Sequence, residues 1–524
     1  MTTNTMNLAI DTGSITSETP EPPVTGIETN RRMQVISLLI ILAAVIPLVI
    51  FPEQGKTIIT SIFEWMTSTF DFAFLGLGLV SLVFMLSLAC SRHGNIKLSA
   101  DKNATAEFSK GAWGAMVFLA GIASGLVLWG GTEWGYHFAW TPFGLDAQTK
   151  EMYTVAQAYG IFHWGPTAWA IYAVPTIAMS YIYYVRQKHI YEISESCRGA
   201  MGNLVDGPLG TVINYLFVFG VLGAAATSLG LGTPMISGAL AELLGVAGGL
   251  HMDLMAILVC TAIFTFSSGL GLSKGIKRLS TFSTFVTLAI VAYIFVVGPT
   301  KFIISLGMDS VGYALDNYIR MSTWTDSVNQ SGFPQAWTVF YWAWWVAYAP
   351  FMGMFVTRIS RGRTIREVIF GMLGYGSLGC ALFYIVLGGY GINLQITETL
   401  AVSELVNTQG VAPAIIEIFK TLPASGLVLL AVVISGIVLL ATTFDSAAYV
   451  MACASTRKLE EGQEPERSNR LFWCFAIAIV PVILLILGGL KTMQTASVIV
   501  GLPVLLILAM MMITTIKYLN EDNA

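Results

Sequence analysis

The stretch Trp337–Met354 reads WTVFYWAWWVAYAPFMGM. Within it Tyr341, Trp344, Trp345 and Tyr348 follow the i, i+3, i+4, i+7 spacing that places side chains on one helix face. Indole and phenol faces are negative, and a stack of them suits a cation that cannot donate a hydrogen bond, above all a quaternary ammonium. The same stripe would serve equally as packing between helices, so its meaning rests on what the rest of the chain sets against it. Pro350 is expected to break the helix within a turn of the cluster.

Other segments supply partners. FHWGPTAWAIY carries Trp164, Trp169 and Tyr172 on one broad face, the second aromatic patch that a cage requires. GIASGLVLWGGTEW holds Gly121, Gly125, Gly130 and Gly131, with Ala120, Ala123 and Ser124 among them. So many small residues allow close helix packing or local unwinding, which frees backbone groups for a ligand where the segment lines a cavity. Glu133 follows directly, and its carboxylate reads either as a gate, substrate contact or coupling group, or as an interfacial residue in water. Tyr136, one turn on, would add a ring or hydroxyl. His163 has no His, Cys or carboxylate at ligand spacing and reads as a hydrogen-bonded core residue. In LLATTFDSAAY, the adjacent hydroxyls of Thr442 and Thr443, near Asp445, are hard oxygen ligands suited to sodium, or else bond back to their own helix.

These residues must be held by membrane helices. Of 524 residues, 55% are hydrophobic and only 11% charged, against about a quarter charged in soluble domains. Apolar runs near 34–51, 70–90, 112–140, 153–185, 207–245, 253–273, 281–300, 334–357, 364–392, 425–453, 470–490 and 493–516 predict twelve transmembrane helices. An even count puts both termini on one side. Placing that side in the cytoplasm leaves only Lys56, Lys150, Lys301, Arg320, Lys420 and Lys491 of the 27 Lys and Arg outside, as the positive-inside rule asks. The stretch near Gly307–Met321 reads as an interfacial amphipathic helix. The glycine-rich third span and the aromatic eighth each begin a set of five, and an odd-numbered unit repeated once must be inverted in the membrane.

The expected organisation is a disordered tail at 1–30, two peripheral helices at 31–111, a first repeat at 112–300, an interfacial segment at 301–333, a second repeat at 334–517 and a short tail at 518–524. The Arg-rich run TRISRGRTIRE after the eighth span reads as a positive-inside anchor, a headgroup site or a cytoplasmic lock. Six scattered cysteines without a CxxC pair indicate neither a disulfide framework nor a metal site. No paired catalytic carboxylates, HExxH or nucleophile–base motif points to an enzyme.

On FYWAWW at 340–345, RISRGR at 358–363, SLGLG at 228–232 and FHW at 162–164, the chain resembles the betaine/carnitine/choline transporter family from Arg32 to about Lys517. The resemblance implies an all-α polytopic membrane protein of the LeuT-like fold, with a 5+5 inverted repeat formed by helices 3–7 and 8–12. It also implies homotrimers in the plasma membrane and a small quaternary-ammonium zwitterion as substrate. The implied cage is Trp164, Trp344, Trp345 and Tyr348, joined by Tyr136, with Glu133, Trp129, Gly125 and Ser124 in the substrate set. An outer, transient site would be Trp169 and Tyr172. Choline carriers of the family place an Asp where Gly125 stands, and the glycine-betaine symporter has a Trp at Tyr348, so the site residues resemble the carnitine/γ-butyrobetaine antiporter.

Ion coupling departs from both patterns. The positions matching the family's first sodium site look like Val221 and Ala225, with Met352 filling the space. The second site is expected at Thr442 and Thr443 with the carbonyls of Leu119 and Ile122; Ser283 stands where the antiporter has an arginine. One sodium and net symport are expected. The alternatives are sodium-independent exchange of substrate for product, and a solute-binding membrane sensor. No other cofactor and no nucleic-acid partner is expected.

Overall fold

The computed structural model describes residues 28–101, 103–270, 273–460 and 463–522; of helical residues 44–45, 48–49, 119–124, 224, 226, 231, 267–270, 273–280, 480–481 and 484–497 only the backbone is described. Among the described residues the chain is helical, with two isolated bridges, Thr29 to Thr456 and Lys97 to Thr364, and no strand. This is the all-α membrane architecture that apolar runs of some twenty residues impose, because each backbone polar group must find its partner within its own segment.

The chain opens with α1 (Arg31–Ile50), α2 (Pro52–Thr69) and α3 (Asp71–Cys90), followed by α4 (Lys110–Ala139). The fourth apolar run is two helices, α5 (Lys150–His163) and α6 (Pro166–Ser180), the latter ending in a π turn at Tyr181–Val185. After the short α7 (Arg198–Met201) come α8 (Pro208–Leu244), α9 (Leu250–Leu270) and α10 (Ser273–Val297). Then α11 (Thr300–Asp316) and α12 (Tyr318–Thr323) lead to a π turn at Gln335–Val339 and to α13 (Phe340–Ile359). The remainder is α14 (Ile365–Phe383), a π turn at Tyr384–Gly388, α15 (Gly389–Ile396), α16 (Val402–Gln409), α17 (Val411–Lys420), α18 (Ser425–Ala454), α19 (Arg467–Val498) and α20 (Gly501–Glu521).

Each of the twelve apolar runs coincides with helix. Seven segments are long and apolar enough to cross a membrane on that measure among the described residues, and an eighth if Thr281–Val297 and Thr300–Asp316, bent by 109°, make one span. That bend turns α11 off the line of α10 and lays it against α5. It begins earlier than the amphipathic stretch expected at Gly307–Met321, and buries Ile303, Leu306 and Ser310 while leaving Ile304, Met308 and Leu315 exposed.

Local chemistry sets the boundaries. Asn30 and Ser109 cap α1 and α4, Thr364 and Glu367 form a capping box on α14, and Gly245, left-handed at φ 65°, closes α8. Two expectations are corrected. Helix α13 runs through Pro350 without breaking; a helix packed on all sides tolerates the one lost hydrogen bond. Helix α4 runs from Lys110 to Ala139 without unwinding at its glycines. Gly130 and Gly131 instead admit close neighbours: a Cβ on the first would lie 3.4 Å from Phe383, and one on the second would overlap Ile415.

The break lies elsewhere, at Trp164–Gly165, where Pro166 restarts the helix as α6. The segments Lys150–Val185 and Gln335–Ile359 are almost wholly buried and form the inner pair, with α13 packed chiefly on α6 and also on α8 and α20.

The arginine run after α13 is structural as well as basic. Arg363, nearly buried, donates to the carbonyls of Phe108 (2.6 Å) and Ser109 (3.2 Å) and lies over the Trp113 ring. Arg366 donates to Ala89 O (2.7 Å) and Ser91 O (3.2 Å), satisfying carbonyls at the end of α3. Arg358 donates to Tyr191 (3.1 Å), Tyr449 (2.7 Å) and Gln463 O (3.1 Å), tying α13 to α18 and two loops. Arg363→Ala is therefore expected to cost about 2 kcal/mol, the scale of a lost charge-assisted bond with its carbonyls left buried. Exposed Lys517→Ala should change stability by no more than about 0.5 kcal/mol. Denaturation of the detergent-solubilised protein measures both, and equal losses would contradict the clamp.

Candidate functional site

Helix α13 presents its aromatic face to α6 and to the end of α5. Trp344 and Trp345 stack at 4.9 Å and 13°, and Tyr341 stacks on both, at 6.0 and 5.7 Å. Trp164 stands edge-on to this wall, 4.7 Å from Trp345 and 6.1 Å from Trp344. The expected face thus forms, and Trp164 reaches it because the chain turns there. Since α5 ends at His163, the His163 carbonyl lies at a helix C-terminus and outside the regular ladder. It accepts from Trp345 Nε1 at 2.9 Å, locking the indole in place. The Gly-Pro pair at 165–166 was the available signal for this break.

Tyr172 completes the cage, 5.8 Å from Trp345 and 5.9 Å from Tyr348, with Trp169 edge-on behind it at 5.7 Å. The pair expected as an outer, transient site, Trp169 and Tyr172, thus lies in ring contact with Trp345 and Tyr348. They lie further along α6, towards Arg186, and are continuous with the cage. Tyr136 moves the other way. It packs on Trp337 (5.2 Å) and Trp129 (6.4 Å), and Trp129 in turn meets Tyr341 (6.4 Å), so Tyr136 sits one ring layer outside the cage rather than in it. Trp164 Nε1, Trp129 Nε1 and Tyr172 Oη are buried without a hydrogen-bond partner among the described residues. Buried donors of this kind are costly unless a ligand or water takes them.

Behind the wall lies Glu133, fully buried. Its Oε1 meets His137 Nε2 at 3.1 Å and His163 Nδ1 at 2.9 Å. Its Oε2 accepts from Tyr341 at 2.7 Å and from Tyr384 in a shorter bond. His163 Nε2 meets Thr338 Oγ1 at 3.1 Å. Glu133 is therefore neither an interfacial residue in water nor a lone charge; it joins α4, α5, α13 and the π turn after α14. His163 does have a carboxylate partner, supplied by tertiary contact across 30 residues. The Glu133/His137 pair at i, i+4 is the one part of this cluster with a local sequence signal; Tyr384 has none. The three atoms that could ligate a metal lie within 4.8 Å of one another, and Oε1 is in direct hydrogen-bond contact with both imidazoles.

The ion-coupling residues are less gathered. The hydroxyls of Thr442 and Thr443 both donate to Leu439 O, at 3.0 and 2.9 Å, the bond back to the helix foreseen as their alternative role. A hydroxyl used this way keeps its oxygen lone pairs. Ser283 donates to Ser435 O at 2.8 Å, and Met352, Val221 and Ala225 are buried. The side chains of Leu119, Ile122 and Ser124 lie outside the described residues. Gly125 is a half-buried helical position in α4.

Comparison with known proteins points to one family. The family described as BCCT, betaine/carnitine/choline family transporter, matches residues 32–524. A carnitine transporter of Acinetobacter baumannii is 32% identical over 501 residues, 95% of this chain and 90% of that protein. The uncharacterized transporter YeaV of Escherichia coli K12 is 34% identical over 447 residues, 85% of this chain and 92% of that one.

If the carboxylate holds these elements together, Tyr341→Phe and Tyr384→Phe should each lower stability by about 2 kcal/mol, the scale of a hydrogen bond to a charged group. The double variant should lose more than the sum, because Oε2 then has no donor. Thermal unfolding by size exclusion after heating reads this out, and additive or negligible losses would contradict it.

Proposed function

The chain belongs to the betaine/carnitine/choline family of transporters, and on that premise we propose that it carries a zwitterionic quaternary ammonium, such as carnitine, γ-butyrobetaine or glycine betaine, across the plasma membrane. The observation that carries this reading is the cage of Trp164, Trp344, Trp345, Tyr348 and Tyr172. Its ring faces match a trimethylammonium head, which offers positive charge and no hydrogen-bond donor. The unpartnered Trp164 Nε1 and Tyr172 Oη offer donors that a carboxylate on the same molecule would accept. Selectivity for a zwitterion over a simple cation follows from that pairing.

Transport proceeds by alternating access, with the rings of the inner pair, α5–α6 and α13, parting towards one side and then the other. Twelve crossings with both termini in the cytoplasm, the inverted repeats at 112–300 and 334–517, and a homotrimer belong to this reading. The coincidence of every apolar run with helix supports the first of these. One sodium would be held by Thr442 and Thr443, whose lone pairs supply hard oxygen ligands. Sodium-independent exchange is the second reading, favoured by the apolar Val221, Ala225 and Met352.

Flux of labelled carnitine and glycine betaine into proteoliposomes, with and without sodium and with and without internal substrate, tests all of this. Replacing Trp344 or Trp345 by Leu should weaken substrate binding about thirtyfold, the scale of a desolvated cation–π contact. Affinity equal to the parent in both variants would remove the cage. Thr442→Ala and Thr443→Ala should raise the sodium concentration needed for half-maximal uptake, and uptake unaltered when potassium replaces sodium would leave exchange as the mechanism.

A further inference from the structure

Helix α13 continues beyond the cage as a second aromatic track. Trp344, Tyr348, Phe351, Phe355 and Arg358 follow the i, i+4, i+7, i+11, i+14 spacing, so they lie along one side of the helix. Tyr348 meets Phe351 at 4.9 Å, and Phe351 stacks on Phe355 at 6.4 Å. Tyr172, whose hydroxyl is buried without a partner among the described residues, stands at the head of this track beside Tyr348. From Trp337 onward α13 carries no charge until Arg358, at the end that the distribution of Lys and Arg assigns to the cytoplasm.

Arg358 is half-buried, and its acceptors are all neutral: the hydroxyls of Tyr191 and Tyr449 and the carbonyl of Gln463. The two tyrosine rings flank the guanidinium, with centroids 5.6 and 5.8 Å away. Three bonds leave two of the five N–H groups for a further acceptor. Neighbouring cations are matched to acids. Arg186 pairs with Glu521 and Asp522, Lys188 and Arg198 pair with Glu195, and Arg470 takes Glu464, the acid next to Gln463. Arg363 and Arg366 are filled by main-chain carbonyls. Arg358 pairs with no carboxylate among the described residues.

A partly desolvated cation held by neutral acceptors gains from any anion that reaches it, because a charge-assisted hydrogen bond is roughly twice as strong as a neutral one. A zwitterionic substrate brings such an anion. Tyr348 and Arg358 are ten residues apart, about 15 Å along the helix axis. That exceeds the separation of the two charges on carnitine or glycine betaine, so one molecule occupies the cage and Arg358 in turn and not together.

We propose that Arg358, flanked by Tyr191 and Tyr449, is a second substrate site that takes the carboxylate of the zwitterion at the cytoplasmic end of the pathway. The inference rests on the cage reading above and goes beyond it. The cage holds the ammonium head, the rings of Tyr348, Phe351 and Phe355 offer it faces along the way, and Arg358 receives the other end of the molecule.

Uptake of labelled glycine betaine into right-side-out and inside-out membrane vesicles carrying the full-length protein gives a KM for each face. Arg358→Gln should raise the KM at the cytoplasmic face about tenfold, the scale of one hydrogen bond between charged groups, and leave the outer KM within about twofold. Arg358→Lys, which keeps the cation, should recover most of the loss. A clamp alone predicts the opposite sign, because its removal favours the state open to the cytoplasm and lowers the KM there. A cytoplasmic KM unchanged or lowered in Arg358→Gln therefore overturns the proposal. An equal rise at both faces, or a lysine variant no better than the glutamine one, does the same. A parent that takes up neither glycine betaine nor carnitine at either face would instead defeat the cage reading. Should Arg358→Gln not fold, acetate decides on the parent protein. It should compete from the cytoplasmic face and not from outside; equal competition at both faces, or none, overturns the proposal.

Discussion

A carboxylate buried in a membrane protein must be surrounded by donors, and Glu133 is surrounded by four. Those donors come from α4, α5, α13 and the turn after α14. Satisfying one charge therefore fixes the mutual placement of the elements that build the site. Removing any donor leaves a charged oxygen short in low dielectric, where the penalty is largest. The cage inherits this rigidity. Tyr341 is both a ligand of the carboxylate and a member of the aromatic wall, and His163 both contacts Glu133 and holds Trp345 through its carbonyl.

Helix discontinuity does the complementary work. In a continuous helix the His163 carbonyl would be used by its own ladder and Trp164 would follow the helix face. The stop at His163 and restart at Pro166 release the one and redirect the other. The glycines of α4 have a different task. At Gly130 and Gly131 they let neighbouring elements approach closely, which brings the turn carrying Tyr384 within reach of Glu133. At the other end of α13, Arg358 and Arg363 turn a charge run into a set of clamps on helix ends and loops.

The aromatic composition of the site was legible in advance because stacking on one helix face depends only on local periodicity. Trp344, Trp345 and Tyr348 at helical spacing could hardly point elsewhere. Membership in the family, the transporter class and the positions of the helices were legible for the same reason: each follows from runs of residues and short motifs. The ring neighbours of Tyr136 and of the pair Trp169/Tyr172 were not legible, since their depth depends on how α4 and α6 are rotated against α13. The unwinding expected at the α4 glycines was misjudged because small residues serve packing and unwinding alike.

The sequence by itself thus determined an all-helical membrane transporter of this family with an aromatic face on a central span, since hydrophobicity and periodicity act over neighbouring residues. Only the tertiary structure decided that Glu133, His137, His163, Tyr341 and Tyr384 share one hydrogen-bonded cluster. Its members are separated by up to 251 residues, and no local pattern encodes a contact made across four elements. The physical reason is that a buried charge is satisfied by whichever donors packing delivers, and packing is a property of the whole chain.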